Sequence, residues 1–487
     1  MGNILGHLEP KRVWEIFEEI LAIPRPSKKE DKITAYLKEF SAKNNLDFKQ
    51  DRAGNVIISK NATSGYENRQ TVILQSHLDM VCEKDSDVKH DFDKDPIIPR
   101  IDEGWVRATG TTLGADDGIG IAVQLAILES SSIEHGPIEC LFTVDEETGL
   151  TGAFALEKGF LTGKILLNLD SEDDGELFIG CAGGHDTLAT FPYEKVNPEI
   201  DHDAYLIKIG GLQGGHSGDD INKGRGNAVK IINRLLWNFD KMFEMRLSNI
   251  DAGNLRNAIA REAVATITLP KRHSGSFNEL FTQLVNAIKL EQKTKEPNLF
   301  ITAEMTAMPE HLISKNIQNK LLDSLYACPH GVIAMSPDMP GLVETSTNLA
   351  SVKTVGNDII IATSQRSSLE SAKKDITNMV ACVFNLAGAK VKHGDGYPGW
   401  KPDVNSNILR ITKESFKNLF NEEPKVLAIH AGLECGLIGE KYPGMDMISF
   451  GPTIKGAHSP TEGLKIDTVD RFWRLTLEVL KNIPAQS

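Results

Sequence analysis

Cysteine pairs of the C-x-x-C type are absent from this 487-residue chain. Its six cysteines, Cys82, Cys140, Cys181, Cys328, Cys382 and Cys435, are widely scattered. That argues against a disulfide framework and against a thiolate zinc knot, leaving reduced and mostly buried thiols as the simple reading. Basic charge is in deficit. With 53 Lys and Arg against 67 Asp and Glu, the net charge is −14, so neither nucleic acid nor an anionic membrane is expected as a partner. No apolar run approaches the ~18 residues needed to cross a bilayer. The N-terminal stretch MGNILGHLEPKRVWEIFEEILAI leads into a charged amphipathic helix rather than a secretory leader. Gly6 stands where a myristoylation signal wants Ser or Thr. A cytoplasmic location is expected. Also missing are a G-x-S-x-G nucleophile elbow, an H-E-x-x-H helix and a G-x-x-x-x-G-K-[ST] phosphate loop.

What remains is the composition of a globular protein, 40% apolar and 25% charged. At roughly 100–200 residues per domain the chain should hold two or three domains. Its first 180 residues or so alternate between patterns. WEIFEEILAI, KITAYLKEF and GIGIAVQLAILES read as helices; NVIISK, TVILQ, IECLFTV and KILLNLD are apolar runs of strand length. The C-terminal stretch repeats this texture in ILRITKESFKNLF, KVLAIHAG, MISFGP and TVDRFWRLTLEVLKNI. Both ends therefore predict an α/β sheet flanked by helices. Between them, solvent-alternating strands (YLIKIGG, AVATITL, DIIIATSQ) and two longer helical stretches (NAVKIINRLLWNF, FNELFTQLVNAIKL) predict an α+β insertion. YPGWKPDVNSN reads as the linker returning from it.

Five groups of potential ligands follow apolar runs or sit in glycine-flanked turns. TVILQSHLDMV ends a strand with His77 and Asp79. TTLGADDGIGIA places Asp116 and Asp117 where a helix opens. IECLFTVDEETG ends a strand with Asp145, Glu146 and Glu147, KILLNLDSED ends one with Asp170, and GPTIKGAHSPTE carries His458 in a loop. Taken singly, each has an ordinary role as a cap, a turn residue or a solvated acid. Together they lie on one predicted face, beyond the carboxyl ends of the strands, where open α/β sheets bind ligands. Imidazoles and carboxylates without thiolates suit zinc, manganese or cobalt at a hydrolytic centre. A pair of ions roughly 3.5–4 Å apart requires a carboxylate between them.

These strings resemble the motifs of the M20 family of co-catalytic metallopeptidases: S-H-L-D-M-V, G-A-D-D-G-I-G and D-E-E-T-G. Within it the chain is most similar to the aminoacyl-histidine dipeptidase branch. L-D-S-E, G-C-A-G-G, G-G-H-S-G, L-R-N-A-I, Y-P-G-W and I-H-A-G-L-E-C-G-L extend that likeness along nearly the whole chain, in order. The resemblance implies a catalytic domain formed by residues 1–184 and 397–487, with a lid of residues 185–396 inserted. It implies two divalent ions, zinc by likeness, with cobalt or manganese compatible. Asp116 would bridge them, His77 and Asp170 would complete one site, and Glu147 and His458 the other. Glu146 would be the general base acting on a metal-activated water, and Asp79 would orient His77.

In the lid, His216 matches a histidine that holds the substrate carbonyl or the intermediate, while Asn257 and Arg366 match substrate-binding positions. Arg366 suits a free carboxylate. Ala260 stands where relatives usually carry proline. His430 and Glu434 are expected to line the site. The implied activity is hydrolysis of unblocked dipeptides, including those of the β-alanyl-histidine type, by a homodimer joined through the lid. An aminoacylase-type amide hydrolase and a catalytically silent homologue that binds peptide or metal are the competing readings.

Overall fold

The computed structural model describes residues 4–486, which fall into two units. The first holds residues up to Cys181 together with Trp400–Ala428 and Leu433 onward. Its eight-stranded sheet runs, edge to edge, Asp47–Gln50, Val56–Lys60, Ile138–Thr143, Val72–His77, Ile165–Asn168, Asp446–Ser449, Glu176–Cys181 and Lys425–Ile429. The middle four, from Ile138–Thr143 to Asp446–Ser449, are mutually parallel. Every residue of Val72–His77 and Ile138–Thr143 is buried, which is why these strands read as continuous rather than alternating runs. Because they are parallel, their carboxyl ends emerge along one edge, and the segments carrying His77, Glu146 and Asp170 leave there together.

Helix Ala115–Glu129 is buried almost all round, as suits a helix packed within a core. It lies close against Val72–His77, and Gly120 makes that approach possible: a Cβ there would sit 2.7 Å from Ser76 Oγ. A separate four-stranded sheet, ordered Ile454–Lys455, Gly463–Lys465, Trp105–Arg107 and Arg100–Asp102, holds the base of the loop that carries His458.

The second unit comprises Ala182–Gly399 and Ile429–Gly432. Its nine-stranded sheet includes the long pair Val343–Val355 and Asp358–Ser367, joined antiparallel. Four helices, Ala228–Phe243, Ser274–Gln292, Lys315–Ala327 and Glu370–Leu386, contribute to one apolar core with it. Phe277 sits at the centre of that core, 5.0 Å from Phe239 and 4.7 Å from Tyr205, ring centre to ring centre. The sequence patterns identify only the first two of these helices.

Three segments fall differently from what was expected. Ala182–Gly184, Tyr397–Gly399 and Ile429–Gly432 belong to the second unit, not the first. The reason is backbone pairing: Tyr397 N–H donates to Gly184 O at 2.9 Å, and Ala182 N–H lies 3.0 Å from both Ile429 O and Ala431 O. Among the described residues no helix is long and apolar enough to cross a membrane.

Candidate metal centre

The first unit gathers His77, Asp116, Glu146, Glu147, Asp170 and His458 into three overlapping clusters. His77 with Asp116 and Asp170, His77 with Glu146 and Glu147, and Asp116 with Glu147 and His458 each offer ligand atoms within 4.8 Å of one another. Asp116 lies between the two imidazoles: its Oδ1 is 2.9 Å from His77 Nε2 and its Oδ2 is 3.1 Å from His458 Nε2. His77 Nε2 also faces Asp170 Oδ1 at 3.4 Å, and His458 Nε2 faces Glu147 Oε2 at 3.0 Å. Each ring nitrogen thus looks at two carboxylates.

Local backbone explains how these side chains converge. Asp116 and Asp117 have non-helical dihedrals, so the regular helix starts after them. Asp117 takes the ordinary capping role, its Oδ1 accepting from Gly120 N–H at 3.2 Å. Asp116 is left to point elsewhere. Asp145 and His458 both occupy the left-handed region, at φ 52° and 62°, a conformation that non-glycine residues hold only under tertiary constraint. Asp145 is constrained by its N–H, which donates to Glu30 Oε1 at 2.9 Å, and by its carboxylate, which accepts from the hydroxyls of Thr148 and Thr151.

Asp79 ties two of these segments together. One oxygen faces His77 Nδ1 at 3.4 Å and accepts from Glu146 N–H at 3.0 Å; the other accepts from Glu147 N–H at 3.2 Å and from Ser27 Oγ at 2.7 Å. Burial opposes its ionisation, but His77 and these donors outweigh burial and hold its carboxyl down at about 2. Asp79 is therefore an anion at neutral pH, and it favours a proton on Nδ1, leaving Nε2 to act as a ligand.

Sequence patterns did not disclose three further buried residues. Arg25 donates from Nη1 to Leu78 O and Asp79 O at 3.0 and 2.6 Å, and from Nη2 to Gly114 O. Glu462 accepts from the backbone of Leu113–Asp116, and Glu30 holds Asp145 as described. None has a motif of its own; each meets backbone brought to it by the fold.

The residues fit a divalent centre. Five carboxylates (Asp79, Asp116, Glu146, Glu147 and Asp170) face two imidazoles, and Glu147 Oε1 is buried without a hydrogen-bond partner among the described residues. Burial drives the Glu146 carboxyl well above its ordinary value, reinforced by Asp170, Glu434 and Glu147, and pushes Asp170 up to about 7. Hydrogen bonds donated to Asp116 and Glu147 push His458 up to about 11. His77 is raised as well, its acidic neighbours overcoming the burial that opposes its charge. In the ion-free chain protonated imidazoles supply the positive charge; ions taken up here must displace those protons.

Comparison with known proteins agrees with this donor set. A family model for the peptidase family M20/M25/M40 matches residues 73–482. The chain belongs to that family. It is 41% identical over 482 residues to the cytosol non-specific dipeptidase of Escherichia coli (strain K12), covering 99% of each chain. It is 44% identical to the aminoacylhistidine dipeptidase from Vibrio alginolyticus, whose crystal structure matches with a TM-score of 0.93 over 99% of both chains. A tripeptidase from Staphylococcus aureus, at 18% identity, covering 98% of this chain and 99% of the other with a TM-score of 0.57, shares the fold. The M20 membership makes this protein a peptide hydrolase with a mixed sheet flanked by helices.

Four residues that the M20 likeness marks for substrate lie in the second unit. Arg366, paired across strands with Ser346, donates from Nη1 to Tyr397 Oη at 2.9 Å, while its buried Nε has no partner among the described residues. His430 Nε2 lies 2.7 Å from Ser346 Oγ, and burial followed by the Arg366 charge lowers its pKa to about 4. His216 is braced through its N–H to Asp220 Oδ2 at 2.8 Å, and its Nδ1 lies 3.3 Å from Asp219 Oδ2. Asn257 is exposed, and its carbonyl accepts from Ser217 N–H at 2.8 Å. Ala260 is buried, its carbonyl accepting from Ala228 N–H at 2.8 Å.

Glu434 belongs to the first unit and is 0% exposed. Its Oε2 accepts from Gln75 Nε2 and Thr143 Oγ1, both at 2.6 Å, and burial pushes its carboxyl up to about 8. It sits beneath the strand ends rather than at an open surface.

Proposed function

We propose that this chain is a metal-dependent dipeptidase that hydrolyses unblocked dipeptides, including those with C-terminal histidine. The placement of Asp116 between two imidazoles, with Glu146 beside them, carries this reading. Support comes from the full-length identity to two relatives, one named a non-specific dipeptidase and the other an aminoacylhistidine dipeptidase. His77, Asp116 and Asp170 would hold one ion, and Asp116, Glu147 and His458 the other. Zinc suits these ligands, and cobalt or manganese would be accepted by the same oxygen and nitrogen donors. When bound, such ions polarise a carbonyl and make a water easier to ionise.

The side chains supply the rest. Glu146 takes the proton of the attacking water and returns it to the leaving amine. Asp79 keeps the His77 ring in the ligating tautomer and fixes the backbone from which Glu146 and Glu147 project. Arg366, whose Nε has no partner among the described residues, would bind a substrate carboxylate. His216 would hold the peptide carbonyl, Asn257 would contribute to substrate binding, and His430 would support Ser346. Glu434 would brace the strand ends through Gln75 and Thr143. A homodimer joined through the second unit completes the proposal, and the mass measured in solution tests it.

Asp79→Asn is expected to lower metal affinity or kcat/KM by roughly 10–100-fold, because the amide can offer nitrogen where oxygen now meets the imidazole. Calorimetry and steady-state kinetics on the folded variant check this. The function itself is tested by a panel of free dipeptides, N-acetylated dipeptides and N-acyl amino acids. Preference for free dipeptides supports the proposal. Preference for N-acyl amino acids would make the chain an aminoacylase, and metal binding with no turnover of any class would make it a silent homologue.

A further inference from the structure

Glu462 is 2% exposed, and its carboxylate is surrounded by backbone donors. Oε2 accepts from the N–H groups of Leu113 and Gly114 at 2.7 and 3.0 Å; Oε1 accepts from those of Ala115 and Asp116 at 2.8 and 3.4 Å. Four consecutive N–H groups converging on one anion form a concave nest. The carbonyl side of the same loop is held independently, by Arg25 on Gly114 O. Gly114 adopts φ 75°, and a Cβ there would lie 2.8 Å from Arg25 Nη2, so the loop has little room to take another path.

The other end of the connection is equally short. Glu462 lies four residues after His458, and its own N–H donates to Ser459 O at 3.0 Å, closing the turn between them. A single side chain therefore joins the backbone of Asp116 to the turn that carries His458, across 346 residues of sequence. The His458 side chain is 54% exposed, so burial alone does not fix where its ring sits.

We infer that Glu462 is a positioning residue of the centre: it sets the spacing of Asp116 and His458 and thereby the affinity of the ion they share with Glu147. The inference rests on the metal-centre reading above, and concerns a residue that neither touches substrate nor ligates. Its length matters as much as its charge, because both oxygens are needed to span the four donors. Glutamine keeps the length but turns an NH2 group towards N–H donors; aspartate keeps the charge but falls short.

The test is metal content and affinity, measured by mass spectrometry and calorimetry on stripped and reloaded protein. The absorption bands of the cobalt form report ligand geometry alongside. Wild type should take two ions. Folded Glu462→Gln should hold one of them at least tenfold more weakly, with altered cobalt bands, and Glu462→Asp should show the same defect to a smaller degree. Should the glutamine variant fail to fold, the aspartate variant decides by the same measurement. Two ions bound at wild-type affinity in either folded variant would overturn the inference. If wild type itself does not take two ions, the metal-centre reading fails first, and the two failures are told apart.

Discussion

Glu146→Gln is expected to leave the ions in place and to cut dipeptide turnover by about a thousandfold, within the range that a positioned acid–base group contributes. Glu146 is half-buried beside His77 and Glu147, with its backbone N–H held by Asp79. Burial and neighbouring carboxylates raise its proton affinity, a property required of a group that must accept a proton and then release it. Glutamine retains shape and loses that capacity. The substitution also removes a carboxyl whose charged form burial and its acidic neighbours disfavour, so the folded variant should be no less stable than wild type. The geometry admits a rival role, because Glu146 lies within ligand distance of His77 and Glu147. Calorimetry alongside kinetics separates the two. Two ions bound with turnover lost makes Glu146 the base; loss of an ion makes it a ligand, and turnover within tenfold of wild type removes it from the chemistry.

Asp116→Asn should weaken both ions at once. Among the described residues Asp116 is the carboxylate that pairs with both imidazoles, one oxygen towards each. An amide can offer only one oxygen, so one ring must face nitrogen. Orienting partners of metal ligands typically cost 10–100-fold when removed, and a shared ligand should cost no less at each position. Asp170→Asn serves as the comparison. Of the two imidazoles its carboxylate faces His77, so one ion should weaken and the other remain. Metal content per chain after gel filtration distinguishes these outcomes: near zero for Asp116→Asn and near one for Asp170→Asn. Equal behaviour of the two variants would mean that Asp116 does not bridge.

Much of the centre could be read from the residues alone. Apolar runs leading to His77, Glu147 and Asp170 read as strands of an α/β sheet; the structure makes them parallel and buried on both faces, which leaves no polar alternation. Parallel strands then put those residues on one edge. What could not be read was which of two adjacent aspartates caps the helix. That choice is made by backbone dihedrals at Asp116 and Asp117, which side-chain pattern does not encode. Glu462 and Arg25 escaped for a related reason. Their partners are N–H and C=O groups, identical at every position of the chain, so no spacing announces them.

The second unit was less legible for a different cause. Helix Glu370–Leu386 carries Ile376, Thr377, Val380 and Val383, β-branched residues that favour strands in isolation. Packing on the sheet decides in favour of the helix. Ile429–Gly432 continues a run that reads as one strand with its N-terminal neighbours, yet Ala182 N–H draws it into the second unit. Sequence periodicity reports the face a residue presents, not the unit to which a short segment is pulled.

The central claim is that two ions, held by Asp116 and four side chains around it, are required for peptide hydrolysis. Titrating zinc, cobalt or manganese into metal-stripped protein while following hydrolysis of a β-alanyl-histidine-type dipeptide tests it most directly. The account predicts negligible activity in the stripped protein and a rise to a plateau at two ions per chain. Full activity without metal, or a plateau at a single ion, would contradict it.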